Sequence, residues 1–283
     1  MTSPTDGQPL RNPWMVAAFE GWNDAADAAS GTVDHLIEEW DAELMVELDP
    51  EDFYDFQVQR PQVRSMDDGE RQIVWPAPQI YVARPARLER DVLLLRAPEP
   101  NFRWKAFCSS VIEVARQAGV TELVTMGALL ADSPHTRPVP VSGSTTDPAL
   151  MQRMSLMPST YTGPVGITSV LNEVASIGGI ASAALWAAVP HYLAEPPCPK
   201  ATLALLGALE DAVGMPLPQG VLAEMAEAWQ RGAEELTSQD DEIAEYVQAL
   251  ENERDTSELP EASGDAIAKE FERYLRRRNV DPE

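Results

Sequence analysis

The segment Trp14–Trp40, WMVAAFEGWNDAADAASGTVDHLIEEW, constrains the fold more than any other part of the 283-residue chain. Its apolar run from Trp14 to Phe19 reads as a buried strand. The run breaks at Glu20-Gly21-Trp22-Asn23, and Asp24 stands where a helix N-cap belongs, with Asp27 in the first turn. Ala26, Ala29, Val33, Leu36, Ile37 and Trp40 then recur at helical spacing. Strand, tight turn and amphipathic helix make the first half of a βαβ unit, which points to a sheet with parallel pairs.

The alternation continues to Gly214. Leu44–Leu48, Gln79–Ala83, Asp91–Arg96 and Glu122–Leu130 read as further strands. Ile180–Val189 fits helix or strand by period alone, and its place between Gly178-Gly179 and Pro190 favours a strand. Phe53–Gln59 and Arg71–Trp75 alternate on either side of Asp67-Asp68-Gly69 and predict a hairpin or a pair of edge strands. Phe102–Ala118, Thr168–Ser176 and Lys200–Val213 read as helices, each followed closely by glycine. Asp147-Pro148 supplies an N-cap and an N1 proline for a short helix to about Arg153. The segment Ala131–Asp147 reads as a long polar loop. Together these elements give a mostly parallel sheet with helices on both faces.

Beyond Gly214 the chain changes character. Val221 to about Leu250 reads as acidic helix with an apolar stripe that includes Leu222, Met225, Trp229 and Tyr246. Asn252–Ser263 reads as a charged linker and Asp265–Arg278 as a last helix. We therefore expect residues 1–215 to form the α/β core domain. Residues 216–283 are expected to form an acidic helical extension packed on the core or on a neighbouring subunit. Met1–Pro13 is polar and turn-rich and reads as a loose arm.

Charge narrows the function. The chain carries 46 acidic and 21 basic residues, a formal net charge of −25. Such a surface repels phosphate backbones and anionic lipid, so nucleic acid and membrane are not expected partners. Lys105, Lys200 and Lys269 are the sole lysines, which argues against chemistry on nucleotide phosphates. Cys108 and Cys198 form no CxxC, and reduced thiols in a cytoplasmic setting are expected. The N-terminus lacks a basic-then-apolar signal, and no apolar run reaches the roughly 20 residues of a membrane span. His35, His135 and His191 never pair at helical metal-ligand spacing, and the phosphate-loop, dinucleotide and nucleophile-elbow motifs are absent, so neither metal nor cofactor is expected.

In an open α/β sheet, functional loops gather at the carboxyl ends of the strands. Three loops qualify here: Glu20–Asp24, Asp132–Arg137 and Pro190–Tyr192. If their strands are neighbours, Glu20, Asn23, Asp132, His135 and His191 line one cleft. A histidine beside a carboxylate suits acid–base chemistry, which makes Glu20, Asp132, His135 and His191 the catalytic candidates. Asn23 and Arg137 join them as ligand-binding candidates. Each has a structural alternative: Glu20 as an acceptor in a tight turn, Asp24 as a cap, His135 as a loop residue and His191 as a satisfied near-core side chain. Ser142-Gly143-Ser144-Thr145 suits either an anion cup or an ordinary loop.

Several ordered segments carry a family resemblance. They are FEGWNDAADAA from Phe19, GALLADSPHTRPVP from Gly127, YTGPVGITSVL from Tyr161, LWAAVPHYL from Leu185 and PKATLALL from Pro199. Over about Trp14–Val213 the chain resembles the actinobacterial branch of the proteasome assembly chaperone 2 family. The resemblance implies a three-layer αβα sandwich related to nucleoside phosphorylases and hydrolases, with a C-terminal helical appendage added here. It implies a protein-binding or assembly module rather than an enzyme. Some relatives dock on the proteasome through a terminal hydrophobic–Tyr–any tripeptide. This sequence ends Asp281-Pro282-Glu283, so docking by that route is not expected. The expected partners are further copies of the chain, with a trimer among the candidate assemblies, and a proteasome-related or other protein. The alternative is a small-molecule-binding protein, or a hydrolase or nucleoside-processing enzyme, using the strand-end cleft.

Overall fold

The computed structural model describes residues 9–66 and 69–258. In chain order its elements are β1 (Trp14–Glu20), α1 (Ala28–Glu39), β2 (Glu43–Glu47), β3 (Gln62–Ser65), β4 (Arg71–Val74), β5 (Gln79–Ala83) and β6 (Val92–Pro98). There follow α2 (Trp104–Gln117), β7 (Glu122–Ala131), β8 (Val141–Thr145), α3 (Pro148–Met154) and α4 (Ile167–Ile177). The last are β9 (Ala181–Pro190), α5 (Pro199–Val213), α6 (Leu222–Ser238) and α7 (Asp241–Glu258).

Seven strands form one sheet in the order β2-β5-β6-β1-β7-β9-β8. The β1–β6, β1–β7 and β7–β9 pairs are parallel, and β2–β5, β5–β6 and β8–β9 are antiparallel. Strand β1 thus lies in the interior of the sheet, and its alternation divides the core. Trp14, Val16 and Ala18 face a cluster with Val33 and Leu36 of α1 and with Leu205, Leu206 and Leu209 of α5. Met15, Ala17 and Phe19 face the other way, toward Phe107 and Val111 of α2 and Leu171 of α4. Phe107 meets Phe19 and Phe53 edge to face, at centroid separations of 5.9 and 5.4 Å. The expected αβα sandwich is the observed architecture.

The C-terminal appendage begins on this frame. Helix α6 buries Leu222, Ala226 and Ala233, with Trp229 half-buried against the α5 side of the core. Helix α7 buries only Val247 and Leu250 as apolar side chains. Among the described residues no helix is long and apolar enough to cross a membrane.

Local readings differ from the structure in five places. Phe53–Gln59 is a sequence of turns, because Phe53 and Tyr54 both point into the core and break the alternation that a surface hairpin needs. Strand β4 pairs instead with Gln62–Ser65. Ser142-Gly143-Ser144-Thr145 lies in β8, an edge strand on β9, so it is no anion cup. Gly143 packs closely there: a Cβ would stand 2.7 Å from the Leu156 side chain, which would have to shift. The acidic helix is interrupted at Gln239 and Asp240, where Asp240 Oδ1 caps the amides of Glu242 and Ile243. Helix α7 runs on to Glu258 through the segment read as a linker. Cys198, whose place in the Pro196–Pro199 loop suits an exposed thiol, is instead fully buried, and burial pushes its thiol pKa up. The helix expected at Asp265–Arg278 lies outside the described residues.

Candidate functional site

The carboxyl ends of β6, β1, β7 and β9 form one rim, because the four strands are parallel neighbours. Every site residue anticipated from sequence sits on this rim or in the loops leaving it. They do not form one cleft. They divide into a groove beside α1, a buried clamp under α4, and an aromatic cluster beneath α6 and α7.

The groove is anchored by Arg96 of β6. Its guanidinium meets Glu20 Oε1 at 2.7 Å and Asp34 Oδ1 of α1 at 2.5 Å. Burial works against the charge on Arg96, but Asp34 and Glu20 outweigh it and hold the group firmly protonated. Burial pushes the Asp34 carboxyl up; Arg96 opposes this, and Glu38 and Asp27 push further up. The groove encloses about 680 Å³. Carboxylates line one wall, while Pro197, Val221, Leu222 and Met225 supply an apolar lip.

Asp24 shapes the entrance to α1. It caps the helix, though from a distance: Ala25–Asp27 form a 3-10 turn between it and the helix proper. Its Oδ1 accepts from the amides of Ala29 at 2.7 Å and Ser30 at 3.2 Å. Ala26 and Asp27 take positive φ values of 51° and 54° to make this detour, a conformation that costs energy in residues with a side chain. Burial pushes the Asp24 pKa up to about 6, despite the hydrogen bonds that lower it.

The clamp holds Asn23. Its Nδ2 donates to Glu99 Oε1 at 2.8 Å, and the same oxygen accepts the first amide of α4, Ile167 N, at 3.0 Å. A carboxylate there offsets the positive end of the α4 dipole. Gly166 makes the fit possible, since a Cβ on it would stand 2.2 Å from both terminal atoms of Asn23. Glu99 N donates to Glu20 O, so the clamp also closes the β1–β6 end.

The aromatic cluster collects Asp132, His135, His191, Tyr192 and Tyr246. Tyr192 contacts His135, His191 and Tyr246 edge to face, with centroids 5.6–5.9 Å apart. Tyr192 Oη accepts from His135 N and lies within hydrogen-bond distance, 2.9 Å, of His135 Nδ1. The Thr237 hydroxyl donates to Ala233 O at 2.8 Å, and its oxygen lies 3.5 Å from His135 Nε2. Both ring nitrogens of His135 thus have a polar neighbour. Burial and then the Lys200 charge lower its pKa, against the opposing pull of Glu234 and Glu251. Lys200 Nζ donates to His135 O and to Gln230 Oε1 of α6, both at 2.5 Å. Asp132 Oδ1 accepts from Tyr246 Oη at 2.9 Å and lies 3.3 Å from His191 Nδ1. Thr136 donates to Glu251, and Arg137 makes ion pairs to Glu251 at 3.3 Å and Asp255 at 2.8 Å.

Glu20 and Asn23 therefore belong to separate networks, and Asp132, His135, Arg137 and His191 seat the C-terminal helices. Sequence reasoning missed Arg96, Glu99 and Gly166. Arg96 interrupts the apolar run of β6, where a lone charge needs a partner, and that was the available signal. Among the described residues no group of three histidine, cysteine or acidic side chains is arranged to hold a metal.

The PAC2 family profile matches residues 18–237. A PAC2 family protein from Streptomyces avermitilis is 51% identical with a TM-score of 0.78, over 83% of this chain and 99% of that one. The Mycobacterium tuberculosis proteasome-assembly chaperone homologue is 47% identical with a TM-score of 0.75, over 82% of this chain and 99% of that one. An archaeal proteasome activator from Pyrococcus furiosus shares the fold at 16% identity, with a TM-score of 0.63 over 81% of this chain and 95% of that one. No curated protein matches the sequence. Profile and actinobacterial structures agree, and the chain belongs to the PAC2 family, as its sequence segments implied.

Proposed function

We propose that this protein is a non-catalytic protein-binding module that works as a homo-oligomer in the cytoplasm, with a proteasome-related protein as its further partner. The observation that carries the reading is the free end of β7. Its pairing with β1 ends at Met126, with one further bridge at Ala128–Asp24. Leu129–Ala131 continue beyond it and, among the described residues, pair on one side only, with β9. Leu129 and Leu130 are 45% and 50% exposed there, and Trp22 in the turn after β1 is 70% exposed. An open strand edge beside exposed large apolar side chains is a docking surface for another chain. The polar candidates support the same reading, since Glu20, Asn23, His135 and Arg137 are engaged in internal contacts. The name of the mycobacterial homologue supports a proteasome-related partner.

Sedimentation velocity tests the self-association. Wild type is expected to sediment as an oligomer, a trimer being the size to look for first. Leu129→Asp with Leu130→Asp is expected to release folded monomers. A wild type that stays monomeric at every concentration, and that recovers no partner by proximity labelling in its host, overturns the proposal.

A further inference from the structure

The groove beside α1 has an acidic wall and an apolar lip that the described residues do not fill. Glu20, Asp27, Asp34 and Glu38 face a single guanidinium, Arg96, which pairs with Glu20 and Asp34. Asp27 and Glu38 are exposed, and both push the neighbouring Asp34 carboxyl up. The opposite lip presents Val221 at 65% and Met225 at 45% exposure. An occupant that fits must therefore bring positive charge and apolar side chains together.

One segment of this strongly acidic chain has that chemistry. Between Lys269 and Arg278 lie Lys269, Arg273, Arg276, Arg277 and Arg278, five of the 21 basic residues in ten positions, against Glu270 and Glu272. Phe271, Tyr274 and Leu275 are interleaved with them. The ten residues 259–268 connect this segment to α7 and span up to roughly 35 Å. Asp255 of α7 is held by Arg137, in the loop after β7, and Glu20 ends β1, the strand paired with β7. We infer that the basic segment Lys269–Arg278 of the same chain docks in this groove. Its guanidinium groups face Asp27 and Glu38, and its aromatic and aliphatic side chains face Val221 and Met225.

The test uses the full chain with a benzoylphenylalanine photo-crosslinker in place of Tyr274. The expected products join position 274 to α6 near Met225 or to α1 near Glu38, within one chain. Arg276→Glu, Arg277→Glu and Arg278→Glu together are expected to cut this yield roughly tenfold, and raising salt to about 1 M several-fold. Adding Glu38→Lys to the triple variant should recover part of the yield, an outcome that a change in folding would not produce. Crosslinks that map elsewhere overturn the inference. So do yields that ignore charge reversal, and products that join labelled to unlabelled chains in an isotopic mixture. None of these outcomes depends on the oligomeric state tested above.

Discussion

The carboxyl-end rim carries two polar clusters, and they are built differently. Around β1 and α4 the cluster is buried. Asn23 is 2% and Asp24 4% exposed, and each meets a helix amino terminus directly or through Glu99. Around β7 and β9 the cluster is open to water on one side. The side chains of His191 and Asp132 are 44% and 76% exposed, and the contacts reach over a hundred residues along the chain to α7. The first cluster locks elements of the sandwich to one another. The second seats an appendage on a finished sandwich. Buried polar groups lose much when one partner is removed, whereas exposed pairs lose little. Variants at the two ends of the rim should therefore differ in both size and reach.

The largest effect is expected at Gly166. Its backbone is extended, with φ −92° and ψ −178°, so space alone decides the outcome. Gly166→Ala drives a methyl group into Asn23 and breaks the Asn23–Glu99 bond. Overpacking and an unpaired buried amide together should cost on the order of 4 kcal/mol, read by urea denaturation. Asn23→Ala should be milder, and combining the two should recover much of the loss. Additive losses would show that Asn23 is not the obstacle.

Asp24 tests the same buried region through pH. Its folded-state pKa of about 6 lies above the roughly 3.9 of an unfolded aspartate. The folded chain therefore holds this proton more tightly. The associated stability is fully present below about pH 4 and is lost as pH rises through about 6. A shift of this size corresponds to roughly 3 kcal/mol. Asp24→Asn keeps an oxygen for the Ala29 amide and removes the titration. Its stability curve is expected to be flatter than wild type between about pH 4 and 6. Parallel curves would mean that Asp24 is ionised throughout that range.

Glu99 comes next. Glu99→Gln keeps the shape of the clamp but replaces a charged acceptor shared by Asn23 Nδ2 and Ile167 N. The expected cost is about 2 kcal/mol, the difference between charge-assisted and neutral bonds at a helix amino terminus. Hydrogen exchange should show the first turn of α4 loosening before the sheet does. Unchanged stability would remove the carboxylate from any role in holding α4.

These experiments also show where sequence was a good guide. Trp14–Phe19 was legible because an apolar run buried on both faces has no other place than the sheet interior. Gly119 and Gly214 were legible as helix stops, and both adopt positive φ, 78° and 77°. The C-terminal appendage was legible from the apolar stripe along its acidic helix. Clustering on the rim was legible because strand ends collect loops. The partition of the rim was not. Whether Glu20 meets His135 or Arg96 depends on which faces of β6 and α1 confront each other, and period-two alternation leaves that open. Phe53–Gln59 misled because its apparent alternation is not realised: Phe53 and Tyr54 are both buried in a loop that folds over the core, with Phe53 against Phe107. His135 and Arg137 attracted chemical readings because their partners, Thr237, Glu251 and Asp255, lie more than a hundred residues downstream.

The smallest effect is expected at Arg137. The side chain is a third exposed and its Asp255 partner about half exposed, so water and salt screen the pair. Arg137→Ala removes the ion pairs to Glu251 and Asp255 and leaves the sandwich untouched. Helix α7 is otherwise held by buried Val247 and Leu250, by Tyr246 against Asp132 and Tyr192, and by Thr136 on Glu251. The melting temperature should move by no more than about 2 °C. Amide exchange in Asp241–Glu258 should accelerate while exchange in β1 stays at its wild-type rate. Tyr246→Phe, which removes the hydroxyl bonded to Asp132, should act in the same direction. If either variant also speeds exchange in β1, the two ends of the rim open as one unit. The contrast between a locked clamp and a seated appendage would then fail.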